Sequence, residues 1–152
     1  MQKASALETL IELAQTRTDD AARRLGALNA KGMDMQAKLA LLMQYSDEYR
    51  ARFQTLAQQG LAGSDLRNYY EFLNKLDDAI VQQREALALM HKRVAAGETD
   101  WRSAKRVLNS YDTLARRQTR VESVRAARHE QRETDEHNGN TAGREGPTQG
   151  GQ

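Results

Sequence analysis

Three histidines, two adjacent pairs of aspartates and a run of arginines are the residues of this chain whose types could do chemistry. Converging imidazoles and carboxylates hold metal ions, and either group can move protons when it is shielded from water. The spacing argues against both. His91 falls on an outward row of the helical pattern described below, while His129 and His137 lie beyond the apolar part of that pattern. Asp19-Asp20 and Asp77-Asp78 point outward at helical spacing and read as surface charge. No glycine-rich loop precedes a lysine or threonine in the manner of a phosphate cradle. With no cysteine in the chain, thiolate chemistry and disulfides are excluded. The expectation is a protein that is not an enzyme and has no catalytic residue, no metal and no cofactor.

The basic run Arg102, Lys105, Arg106, Arg116, Arg117, Arg120, Arg125 and Arg128 could track phosphates. Acidic residues interrupt it (Asp112, Glu122, Glu130), and no aromatic ring is interleaved for base stacking. A solvated face is the plainest reading, an acidic protein surface the second, and nucleic acid the third.

These residues are carried by two long helical patterns that meet at Gln58-Gln59-Gly60-Leu61-Ala62-Gly63-Ser64-Asp65. Gly60 can take the left-handed conformation that ends a helix, with Leu61 folding back onto Leu56. Ser64 can cap the next helix, and Asp65 brings negative charge to its positive end. The only proline is Pro147, so nothing breaks either pattern. Two long helices joined this tightly run antiparallel.

The first pattern opens at a capping box, Ser5 with Glu8 three residues on. Its seam is Leu7, Ile11, Ala14, Thr18, Ala21, Leu25, Leu28, Gly32, Met35, Leu39, Leu42, Ser46, Tyr49, Phe53 and Leu56. The steps alternate four and three, the period of a coiled coil. The second seam is Leu66, Tyr69, Leu73, Leu76, Ile80, Gln83, Leu87, Met90, Val94, Gly97, Trp101, Ala104, Leu108, Tyr111, Ala115 and Gln118. If Leu56 and Leu66 form the layer beside the turn, the numbers of facing residues always add to 122. Large then meets small: Leu25 faces Gly97, Met90 faces Gly32, Trp101 faces Ala21 and Leu108 faces Ala14. The two seam glycines read as room for the large residue opposite, or as points of bending.

Beyond Gln118 the second helix has no partner to face. Residues 119 to about 136 keep helical character without an apolar seam, and from Asn138 the glycine-rich composition predicts disorder. The fold class is therefore all-α, a long two-helix antiparallel coiled coil with a disordered C-terminal tail. Its limits are about residues 5–58 for the first helix, 59–64 for the turn, 65–134 for the second helix and 138–152 for the tail. The hydrophobic fraction of 39% is thin for a globular core but sufficient for such a seam. No apolar run approaches the roughly 20 residues of a membrane span, and no signal-peptide pattern opens the chain. The expected compartment is the cytosol, without direct membrane insertion.

One edge of the coiled coil, where the g rows of both helices meet, is apolar without needing to be. Near the turn it carries Tyr45, Phe72 and Ala79; near the open end it carries Leu10, Val107, Leu114 and Val121. Such residues are either extra packing or a docking surface.

The stretches Ala6-Leu7-Glu8-Thr9-Leu10, Asp19-Asp20-Ala21-Ala22-Arg23 with Leu25-Gly26, Tyr45 with Tyr49-Arg50, Asn68-Tyr69 with Phe72, Leu76 with Ala79-Ile80, and Trp101-Arg102 come in an order that resembles the flagellar export protein FliJ family. The resemblance covers roughly residues 6 to 118. It implies a small cytoplasmic component of the bacterial flagellar type III export apparatus, peripheral to the inner face of the cell membrane at the flagellar base. Members form a coiled coil similar to that of the gamma subunit of rotary ATP synthase, sit with the hexameric export ATPase, contact the membrane export-gate protein and handle export chaperones. The gate-facing surface maps onto Leu42, Tyr45, Tyr49, Phe72, Leu76 and Ala79, with Lys38 and Gln83 departing from the family's pattern at its rim. By analogy with the gamma subunit, the open end would meet the ATPase through Leu10, Val107, Leu114, Arg116, Arg117 and Arg120.

The reading is a non-enzymatic coupling factor of flagellar protein export, monomeric when isolated. Its alternatives are a scaffold that dimerises into a four-helix bundle through the g edge, and a basic nucleic-acid-binding coiled coil.

Overall fold

The computed structural model describes residues 2–144, and they form two α-helices packed against each other: α1 (Gln2–Gln58) and α2 (Gly63–Arg144). Contacts divide the chain into two compact units, Ala14–Arg106 and the terminal segments Met1–Leu13 with Val107–Gln152.

In the Ala14–Arg106 unit the two helices are antiparallel arms joined by the turn. Every seam position of α1 from Ala14 to Leu56 is buried or half-buried, and every residue between them is exposed. The facing rule holds where contacts can be measured. A methyl built on Gly32 would lie 3.5 Å from Met90, one on Gly97 would lie 3.5 Å from Leu25, and the Phe53 and Tyr69 rings are 5.9 Å apart. The glycine expectation divides in two. At Gly97 the helices are tight, with Leu28 Cδ1 only 3.2 Å from where a Cβ would sit. At Gly32 the corresponding distance is ordinary van der Waals contact, so Met90 does not require a glycine there.

The polar seam residues are satisfied. Buried Thr18 donates to the Ala14 carbonyl at 2.8 Å, and buried Ser46 accepts from Arg50 Nε at 3.2 Å. Gln83 donates across to the Met35 carbonyl at 2.9 Å, tying the arms together. An unpaired amide in a closed seam would cost about 1–3 kcal/mol, so these bonds are what permit polar residues there.

At the turn Gly60 has φ of 86°, and its amide donates to the Ala57 carbonyl at 3.4 Å. This is the left-handed stop that the sequence predicts. The start of α2 differs. The first helical bond runs from the Leu66 amide to the Ala62 carbonyl at 3.1 Å, so Ala62 is the cap and Ser64 lies inside the first turn. Asp65 remains in that turn, where its charge opposes the positive helix end.

In the terminal unit Leu7 and Ile11 of α1, and Leu108, Tyr111 and Ala115 of α2, are buried or half-buried. The predicted box at Ser5 is not the start of α1: the helix runs back to Gln2, and the Ser5 carbonyl accepts from the Thr9 hydroxyl at 3.0 Å inside it. Gln and Lys are good helix formers, so nothing before Ser5 stops the helix. Residues 116–144 are exposed without exception, as expected of a segment lacking a partner; Gln118, assigned to the seam, is exposed with them. Helix α2 continues through residues 138–144, where the composition predicts disorder. The Thr141 hydroxyl there donates to the His137 and Asn138 carbonyls at 3.0 Å, and no proline intervenes before Pro147. The rest of the predicted tail lies outside the described residues. Among the described residues no helix is long and apolar enough to cross a membrane.

Candidate docking surface

Near the turn, rings from both arms gather around the seam. Tyr49 occupies a d position of α1 and is half-buried; Phe72, one row off the α2 seam, stacks on it with centroids 4.5 Å apart and a tilt of 45°. The Phe72 ring is thus held on one side by Tyr49 and open on the other, with 43% of its surface exposed. Tyr45, one helical turn before Tyr49, is exposed to the same degree at 44%. Register places Tyr45 opposite Phe72 across the g edge, their numbers adding to 117. The Arg52 guanidinium lies 5.8 Å from the Tyr49 ring centre, within the range of cation–π attraction. Two helices that are each packed along a seam fix these rings at little further entropic cost, which suits an anchor for a partner.

The other expected members of this surface divide by burial. Leu42 and Ala79 are half-buried, whereas Leu76 is buried and supports the surface from within. Gln83 at the rim is committed to the Met35 carbonyl.

On the opposite e edge, Arg50 Nη2 lies 2.8 Å from both carboxylate oxygens of Asp77. By helical spacing Asp77 reads as surface charge, and the structure gives that charge a partner on the other arm. The signal was available: the facing rule makes e-row numbers add to 127, which pairs residue 50 with residue 77. The pair is about half-exposed on both sides, so it contributes at most about 1 kcal/mol. Tyr70, on the e row beside the seam, packs on Phe53 at 5.1 Å and keeps 52% of its surface exposed.

In the terminal unit Leu10, Val107 and Leu114 are exposed at 42%, 45% and 47%, Val121 continues the row along α2, and Val124 lies exposed one turn beyond it. Arg116, Arg117 and Arg120 are exposed beside them. Among the described residues no three His, Asp or Glu side chains are placed to share a metal ion.

Seam, turn and edges define a class: a two-helix antiparallel coiled-coil protein with accessible apolar groups along its edges as well as a buried seam. Residues 2–147 match the family described as the flagellar FliJ protein. The flagellar FliJ protein of Salmonella typhi is 35% identical over 136 residues, covering 90% of this chain and 92% of that protein. The Escherichia coli (strain K12) flagellar FliJ protein is 31% identical over 136 residues, with the same coverage. This chain belongs to the FliJ family.

Proposed function

We propose that the protein is a non-enzymatic component of flagellar type III export. It couples the export ATPase ring to the cytoplasmic part of the membrane export-gate protein and handles export chaperones. Family membership supports the flagellar setting. The observation that carries the docking role is the Phe72 ring, fixed against Tyr49 yet open on its other face, with exposed Tyr45 on the same edge. Tyr45 and Phe72 make the direct gate contact, with Leu42, Tyr49 and Ala79 contributing their uncovered parts and Leu76 holding the surface from below. At the open end Leu10, Val107 and Leu114 supply apolar contact to the ATPase. Arg116, Arg117 and Arg120 steer the approach of an acidic surface, and reversing all three to glutamate should weaken ATPase binding alone.

The test pairs neighbouring residues. Leu73 is 7% exposed, and Leu73→Ala should cost about 2–5 kcal/mol of folding stability. Phe72→Ala loses only its covered half and the contact with Tyr49, about 1–2 kcal/mol. Binding of each folded variant to the gate's cytoplasmic part should show the reverse order, with Phe72→Ala the more damaging. A Phe72→Ala protein that binds the gate normally would remove Phe72 from the docking surface.

A further inference from the structure

The e edge changes character away from the turn. Where residues 50 and 77 face each other the pair is ionic; one heptad further on, the same rule sets Arg84 against Met43. The Arg84 guanidinium has only the Met43 sulfur, 3.9 Å from Nη2, a weak acceptor at the limit of contact. It has no carboxylate within ion-pair distance among the described residues. Around it lies an exposed face with Met33 at 72%, Met43 at 41% and Val81 at 52%, and with Ala40 and Ala88 between them. On the e and b rows no acidic residue occurs in α1 between Asp19 and Asp47, or in α2 between Asp77 and Glu98. The face is separate from the Tyr45–Phe72 edge, and the inference does not rest on the function proposed above.

We propose that this face, Met33, Ala40, Met43, Val81, Arg84 and Ala88, receives an amphipathic helix of another protein that carries a carboxylate beside its apolar stripe. A pair of helices presents a groove along each edge, and small residues such as Ala40 and Ala88 allow a third helix to approach closely. Flexible, polarisable methionines adapt to the side chains laid against them. The unpaired Arg84 fixes the sign of the partner's central charge. A second copy of this chain fits poorly, because a two-fold pairing would bring Arg84 onto a face without a carboxylate and enclose two cations.

The probe is a synthetic helix of roughly 20 residues, the length needed to cover about 30 Å. It has a leucine–alanine stripe and one central glutamate, and a second version carries lysine instead. Fluorescence anisotropy with the full chain should show the glutamate helix binding about tenfold tighter or better, since like charges across an interface are strongly repelled. Arg84→Glu should invert the preference and Arg84→Gln should erase it. Arg84 is exposed, so circular dichroism should be unchanged in either variant. Failure of both helices to bind, or a preference insensitive to Arg84, would overturn the proposal. So would a concentration-dependent mass that Met43→Asp abolishes, which would assign the face to a second copy.

Discussion

Glycine-to-alanine substitutions at residues 26, 32 and 97 separate backbone from packing effects in one series. Each replaces a mid-helix glycine, and each should gain the same backbone term, about 0.5–1 kcal/mol. The steric terms differ. Nothing lies within 4 Å of a Cβ at Gly26, so Gly26→Ala should show the whole gain. At Gly32 the nearest atom, Met90 Cγ, is at 3.5 Å, so Gly32→Ala should gain as much and bury a methyl as well. At Gly97 the Leu28 Cδ1 at 3.2 Å must yield by a few tenths of an ångström, while the backbone, with Leu25 Cα at 4.0 Å, is not in the way. Turning a leucine partly off its rotamer costs about 0.5–1.5 kcal/mol, which cancels the gain. Thermal unfolding followed by circular dichroism should therefore rank Gly32→Ala and Gly26→Ala above wild type by about 2–4 °C and leave Gly97→Ala unchanged within about 2 °C. Gly97→Leu should fall below wild type, since a full side chain there overpacks the seam by about 1–3 kcal/mol. A Gly97→Ala protein as stabilised as Gly26→Ala would refute the claim that the helices are tight at residue 97. A destabilised Gly32→Ala would refute the claim that they have slack at residue 32.

Cysteines at Leu25 and Gly97 should form a disulfide on mild oxidation. Leu25 Cα lies 4.0 Å from a Gly97 Cβ, well inside bonding geometry; bridging of Leu25 to a site one heptad away instead would contradict the facing rule. Asp77→Ala should cost no more than about 1 kcal/mol at low salt and less at high salt, measured by urea unfolding, because the Arg50–Asp77 pair is half-exposed and screened. Truncation before Asn138 should leave the unfolding midpoint unchanged within error, since no described residue beyond Ala115 is withdrawn from solvent; a lowered midpoint would mean that the removed segment packs on the rest.

The seam was legible in the sequence as far as Ala115, because a two-helix pair buries so little that each buried position must follow the 3.5-residue rhythm; Gln118 kept the rhythm but had no facing residue left to cover it. Thr18 and Ser46, the polar breaks in the α1 list, kept their places because each finds a local partner in Ala14 and Arg50. Helix ends were less legible. Ser5 and Ser64 each offer a cap, but a cap is worth only about 1 kcal/mol, and good helix formers or a free carbonyl upstream can shift the start. The candidate surface was half legible. Row and residue type located Tyr45 and Phe72, but not that Phe72 leans on Tyr49 or that Leu76 is closed off, because ring orientation depends on neighbours four residues away and across the seam. Asp77 and Arg84 show what the facing rule yields when applied to flanking rows as well as to the core: one cation has its acid and the other does not.

The exposed stretch of residues 116–144 has a kinetic consequence. Its turns are held by backbone bonds and by hydroxyl bonds such as those of Thr119 and Thr134 to carbonyls four residues back, with no seam layer closed over any of them. An unsupported helix of this kind exchanges turns with coil in about 0.1–1 μs, far faster than a seam layer opens. Its amides should lose their protons to deuterium orders of magnitude sooner than those of Leu73 or Leu87. A partner arriving at this segment would meet a population of partly wound chains, and would need only to catch one turn for the remainder to wind onto it.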